Sequence, residues 1–178
     1  RIDEDRITRR FRNNEKFVQN EDVSVLSLNL DFLKLIYGNR LNYGFQALYN
    51  NVISDAWYRN IETEEKSPGT TRYPDGGTSA WSAAAYANYK WKPSEKTILS
   101  AGARYHFGSY VSGFNPENLL PYENVRIDNG AFTGSLNLIY NPGRNWKISA
   151  IASTGFRNPN VDDYGKVRAK DDQVTVPN

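Results

Sequence analysis

A strict period-two alternation of apolar and polar residues, repeated along the chain, limits this sequence more than any other feature. Leu26, Leu28, Leu30 and Phe32 alternate with Ser27, Asn29 and Asp31. Tyr43, Phe45, Ala47 and Tyr49 alternate with Asn42, Gly44, Gln46 and Leu48. The same pattern recurs with Leu99, Ala101, Ala103, Tyr105 and Phe107, then Phe132, Gly134, Leu136, Leu138 and Tyr140, then Trp146, Ile148, Ala150 and Ala152. Successive side chains on a strand point to opposite faces, so each stretch is a strand with one greasy and one wet face. Ile139 and Ile151 fall on the wet side, where something is expected to cover them.

The connections alternate in length. Tyr37-Gly38-Asn39-Arg40, Lys92-Pro93-Ser94-Glu95-Lys96 and Asn141-Pro142-Gly143-Arg144-Asn145 carry the Gly, Pro and Asn of tight turns. Long polar stretches lie between them, over residues 61–78 and 111–125, with a third over 12–20 ahead of the first well-formed strand. Short turns on one end and long loops on the other are the signature of an outer-membrane barrel. A soluble meander has no reason to sort its turns this way.

Aromatic placement points the same way. Aromatics make up 13% of the 178 residues, and 12 of them are tyrosines. Tyr37, Tyr43, Tyr89, Trp91, Tyr140 and Trp146 lie near the tight turns; Trp57, Tyr58, Trp81, Tyr105, Phe107 and Phe156 lie near the long loops. Amphipathic rings favour membrane interfaces, so the two groups are expected to form girdles. No run of about 18 apolar residues exists, which excludes a transmembrane helix. A net charge of +2, with basic and acidic residues interleaved, offers no nucleic-acid footprint. The absence of cysteine removes disulfides and thiolate metal sites. With no methionine and Arg1 at its start, the chain is expected to be a segment of a longer one.

The stretch from Ala152 to Val167, which includes Gly155-Phe156-Arg157-Asn158-Pro159-Asn160-Val161-Asp162-Asp163-Tyr164, resembles the Phe-Arg-x-Pro box of TonB-dependent outer-membrane receptors. In that family the box follows an ascending strand and opens an extracellular loop. Here it follows the strand that begins at Trp146. The usual Ala of the box is Asn158. The resemblance implies an all-β antiparallel transmembrane segment, part of a 22-stranded barrel with short periplasmic turns and long extracellular loops. Residues 1–178 would then be a partial barrel, with plug domain and remaining strands outside this chain. The implied function is energy-coupled uptake of a scarce nutrient (an iron chelate, haem or similar) across the bacterial outer membrane. The implied partners are outer-membrane lipid, the TonB energy-transducing complex acting through the plug, and a small nutrient ligand. No nucleic acid, no resident cofactor and no metal is expected.

Candidate ligand contacts are Arg157, Asn158, Asn160, Tyr110, Tyr122 and His106. His106, the single histidine, shares a face with Ser100 and Arg104; imidazole can ligate haem iron, and it also serves as a plain hydrogen-bonding lumen residue. Arg157 is a cation at the barrel mouth that can hold an anionic ligand or pair with Asp162 or Asp163 in its own loop. Tyr73, Tyr110, Phe114 and Tyr122, all assigned to long loops, can stack on a flat ligand or pack those loops together. Residues 62–66 and 74–77 lack the oxygen spacing of a calcium loop.

No catalytic constellation is present. There is no Gly-x-Ser-x-Gly elbow and no phosphate loop, and His106 lies about 20 Å from Ser100 on its own strand face. The competing reading is a soluble β-sandwich that presents Tyr- and Trp-rich loops to a glycan. The two part on Leu26, Leu28, Leu30 and Phe32: a receptor wall leaves them on lipid, whereas a sandwich buries them under a second sheet.

Overall fold

The computed structural model describes residues 2–9, 14–114, 124–157, 168–170 and 173–175. Its elements, in chain order, are β1 (Ile2–Arg9), β2 (Glu15–Ile36), β3 (Asn39–Asn60), β4 (Lys66–Pro68), β5 (Thr78–Ser94), β6 (Thr97–Gly113), β7 (Asn124–Gly143), β8 (Trp146–Ser153), β9 (Arg168–Lys170) and β10 (Gln173–Thr175). One antiparallel sheet runs in the order β1-β2-β3-β5-β6-β7-β8, with β4 beside the far end of β3. β9 and β10 pair only with each other.

The alternation dictates the register. Leu30, Phe45, Ala85, Tyr105 and Phe132 occupy one cross-strand row, and Phe32, Tyr43, Ala87, Ala103 and Gly134 the next. A slip of one residue anywhere would turn a whole strand inside out, so the pattern fixes the pairing. Diagonal ring contacts tighten it: Trp81 and Phe107 lie 5.4 Å apart between centroids. The apolar rows stay open to the surroundings, Leu26, Leu28, Leu30 and Phe32 included. No second sheet covers them among the described residues, which overturns the sandwich reading.

The apolar band has the height of a bilayer core. It covers residues 26–36 of β2, 41–49 of β3, 81–91 of β5, 99–107 of β6 and 130–140 of β7. Each stretch is 9 to 11 residues, the length a tilted strand needs to cross the hydrocarbon. β2 and β3 each run 22 residues and continue well past the band. At the near end, two-residue turns join β2 to β3, β5 to β6 and β7 to β8. The first is Tyr37-Gly38, with φ of 47° and 79°, the left-handed pair that suits the twist of a tight hairpin.

Three expectations need correction. The third polar stretch is not a loop over 12–20: β2 already starts at Glu15, and Ile2–Arg9 pairs along it as β1. The acidic and basic residues there hid a strand that stands above the apolar band and has no reason to be apolar. Ile151 pairs with Asn137 on the wet face and is widely exposed, with no cover among the described residues. Tyr58 belongs to the wet face, its ring tilted at 31° against Phe17 with centroids 4.7 Å apart, rather than to the outer girdle.

Candidate functional site: the polar wall and its inward strap

The polar face forms the inner wall. Over its middle, Asp31, Gly44, Tyr86, Arg104 and Thr133 lie in one row. The Tyr86 hydroxyl donates to Asp31 across Gly44. A Cβ at Gly44 would stand 2.6 Å from that hydroxyl and 2.4 Å from the Leu30 carbonyl, so only glycine lets the tyrosine pass. One row away, Gly102 floors a shallow hollow of about 280 Å³ bordered by Gln46, Tyr86, Asn88, Arg104, Thr133 and Ser135. His106 follows in the next row, between Ala84 and Ala131. Phe156 tilts over its ring at 6.2 Å and 47°. After β8 the chain stays on β7, where the Thr154 amide donates to the Gly134 carbonyl.

Above the band, residues 69–77 fold inward as a strap across the wet face of β3. The Gly69 amide donates to the Ala56 carbonyl, and Gln19 Nε2 donates to the Thr70 carbonyl at 3.3 Å. Arg72 reaches Glu21 at 3.8 Å, with Glu21 almost wholly buried. A two-bond backbone clasp then ties the strap to β6: the Gly76 amide donates to the Gly113 carbonyl, and the Gly113 amide to Gly77. Thr78 and Ser112, both buried, join through their hydroxyls at 3.0 Å. Pro74, Phe114, Tyr110 and Ser54 complete the packing. Glu21 Oε1 and Ser54 Oγ, register partners, are buried without a hydrogen-bond partner. Such orphan acceptors are costly, and they mark the strap as the buried polar centre of this outer region.

On the opposite, outward face of the same outer region, Asp128 accepts from Ser109 and, at 2.9 Å, from Arg126. The Ser109 hydroxyl first, and the Arg126 guanidinium second, hold its carboxyl below the usual 3.8.

The structure joins only part of the sequence-derived set. It brings His106 against Phe156, the residue that precedes Arg157 in the box. Tyr110 stands in β6 rather than in a loop and is buried, as is Phe114 just beyond the strand. Asn158, Asn160, Tyr122 and the carboxylates Asp162 and Asp163 lie outside the described residues. Among the described residues, no three His, Cys, Asp or Glu side chains converge as a metal site would require. Sequence reasoning missed Glu21, Arg72, Ser54 and the pair Thr78 and Ser112. One signal was available: Val23, Glu21, Gln19 and Phe17 continue the inward-facing positions of β2 upstream of Leu26. Nothing in the sequence marks Arg72, in a polar loop, as the partner of Glu21.

The chain matches the family described as "TonB dependent receptor-like, beta-barrel" over residues 3–174. No curated protein and no solved structure matches it. The match covers nearly the whole sheet, from β1 through β8, and extends past the box. This chain therefore belongs to the TonB-dependent receptor-like β-barrel family, and its sheet is a stretch of that barrel's wall.

Proposed function

We propose that this chain supplies an arc of the wall and part of the outer vestibule of a bacterial outer-membrane receptor. The receptor takes up a scarce small nutrient, an iron chelate, haem or a similar ligand, with energy delivered through TonB. The observation that carries this reading is the single sheet with two unlike faces. One face holds an open apolar band of bilayer height, and the other is polar and folds its own strap inward. Strands outside this chain close the barrel, and a plug carried elsewhere in the receptor fills the lumen. The long-loop end faces outward, so Glu21, Arg72 and the strap shape the mouth. His106, Arg157, Asn158, Asn160 and Tyr122 are the ligand contacts of this reading, and Phe156 sets His106 at the entrance. Tyr110 supports them from within the wall.

Accumulation of labelled ferric chelates and haem, in cells carrying or lacking the receptor and TonB, tests this reading. Uptake of at least one ligand should require both proteins, and Arg157→Ala should reduce it. Equal accumulation of every ligand without the receptor would sink the nutrient-uptake reading.

A further inference from the structure

The three short turns carry an excess of positive charge that the rest of the wall lacks. Residues 34–40, 90–96 and 141–147 hold seven of the 22 basic residues and one of the 20 acids, Glu95. Hydrogen bonds between the turns tie them into one ledge. The Lys92 amide donates to Asn39 Oδ1 at 2.9 Å, and the Asn141 amide to the Lys96 carbonyl at 2.8 Å. The second bond sets Lys96 and Arg144 on adjoining turns, and both are exposed. Among the described residues, neither side chain has an ion pair or a hydrogen bond. Like charges held side by side repel, so an anion from outside stabilises such a ledge.

Side-chain parity divides these cations. Arg40 and Lys90 are register partners on the wet face, whereas their neighbours Leu41 and Tyr89 face outward. Lys96 and Arg144 project from the turn tips, and above them the outward face holds a furrow. Trp91, Leu99, Leu138 and Ala150 form one cross-strand row, with Ala101 and Ala152 in the next row up. These residues line an apolar hollow of about 470 Å³. The indole of Trp91 walls one side, and the small alanines leave room for a methylene chain. Height then selects the occupant. Lys96 is three residues beyond Leu99, about 10 Å along the strand and about 7 Å down for a tilted one. A phospholipid headgroup layer is about 5–8 Å thick, so the turn tips end within it. A lipid with an acyl chain in the hollow therefore brings its phosphate to the level of Lys96 and Arg144.

We infer that this hollow, with Lys96 and Arg144 below it, is a binding site for an anionic glycerophospholipid of the inner leaflet. The acyl chain lies on Ala101, Ala150 and Ala152 beside Trp91, and the phosphodiester meets the two cations. A zwitterionic lipid brings an ammonium that the same cations repel, so the site discriminates by headgroup charge. This rests on the bilayer seat and the orientation of the wall proposed above. The test uses the full receptor in phosphatidylcholine vesicles that contain dibrominated phosphatidylglycerol or dibrominated phosphatidylcholine. The readout is the part of the tryptophan quenching that W91F removes.

Brominated phosphatidylglycerol should quench Trp91 at the lower mole fraction, and K96Q/R144Q should cut that preference about fivefold for each cation removed. Both positions are exposed and unpaired, so the variant should fold, as an unchanged heat-resistant gel band would confirm. Raising the salt to about 0.5 M tests the same charges in the parent without a substitution, and the preference should collapse there too. R40Q/K90Q, at the same end but on the wet face, should keep the parent's preference. A preference that survives K96Q/R144Q or high salt overturns the proposal. So does an equal loss in R40Q/K90Q, which would make the effect one of net charge alone. Equal quenching of the parent by the two lipids removes the site and leaves the wall in the bilayer. No quenching by either removes both.

Discussion

Below the row of Tyr49 and Trp81 the wall buries almost nothing against itself; above that row it packs like an ordinary protein. Phe132, 71% exposed, and Leu136, 63% exposed, are typical of the lower half. In the upper half Glu21 is 4% exposed, Thr78 1% and Ser54 0%. The same sheet, with the same ladders, thus uses two kinds of stabilisation. The lower half depends on a solvent that welcomes apolar surface, as a bilayer does. The upper half stands in water and must supply its own cover, which the strap provides. Apolar burial in the first is bulk transfer, tolerant of side-chain shape. Cover in the second is a few named contacts, each of which can be lost singly.

That contrast can be broken at either end, and the largest effect should come from the lipid face. Leu136→Arg puts a charge in the middle of the band and should destabilise the barrel by about 2–4 kcal/mol in a bilayer. The same arginine at Ser24, outward but above the band, should cost about 0–1 kcal/mol. Urea titration of the receptor in lipid vesicles measures both, and equal costs would mean that the band is not in lipid.

A smaller effect is expected in the strap. Arg72→Ala leaves Glu21 buried with neither carboxylate oxygen paired, which should cost about 1–3 kcal/mol, less than for a fully buried pair because Arg72 keeps partial access to water. Limited proteolysis should then cut within residues 61–77, while the lower wall stays protected. Protection unchanged from the parent would show that the backbone clasp to Gly113 holds the strap alone.

The smallest effect is acid sensitivity at Asp128. Its partners favour the carboxylate, so its folded pKa lies below the unfolded one. Its contribution is therefore full above the unfolded value and is lost as pH falls through the folded value. Protection of the amides in residues 108–113 and 124–129 against hydrogen exchange, relative to their intrinsic rates, should fall as pH drops below the unfolded value of 3.8, and Asp128→Asn should remove that dependence. The lower rows, which hold no such pair, should be indifferent.

How much of this was legible in advance divides along the same line. The membrane half was almost fully readable. Leu26 through Phe32 and Leu99 through Phe107 alternate without a break, because lipid on one side and polar surroundings on the other impose period two on the residues themselves. The extracellular half was not. Residues 12–20 read as a polar loop, although β2 already starts at Glu15, because a strand in water on both faces has no hydrophobic period to show. Phe156 was placed among the girdle rings, yet it tilts over His106, since nothing in a linear motif says which way the chain turns after β8.

Sequence alone determined the strands that cross the apolar band, their two faces and the end that carries the long loops. Those follow from local side-chain parity and turn chemistry. Only the tertiary structure decided that Arg72 meets Glu21, that Tyr110 is buried rather than presented, and that Lys96 and Arg144 stand on adjoining turns. Each joins residues many positions apart, brought together by the stacking of strands and one loop folding inward, and no local rule ranks one such pairing above another.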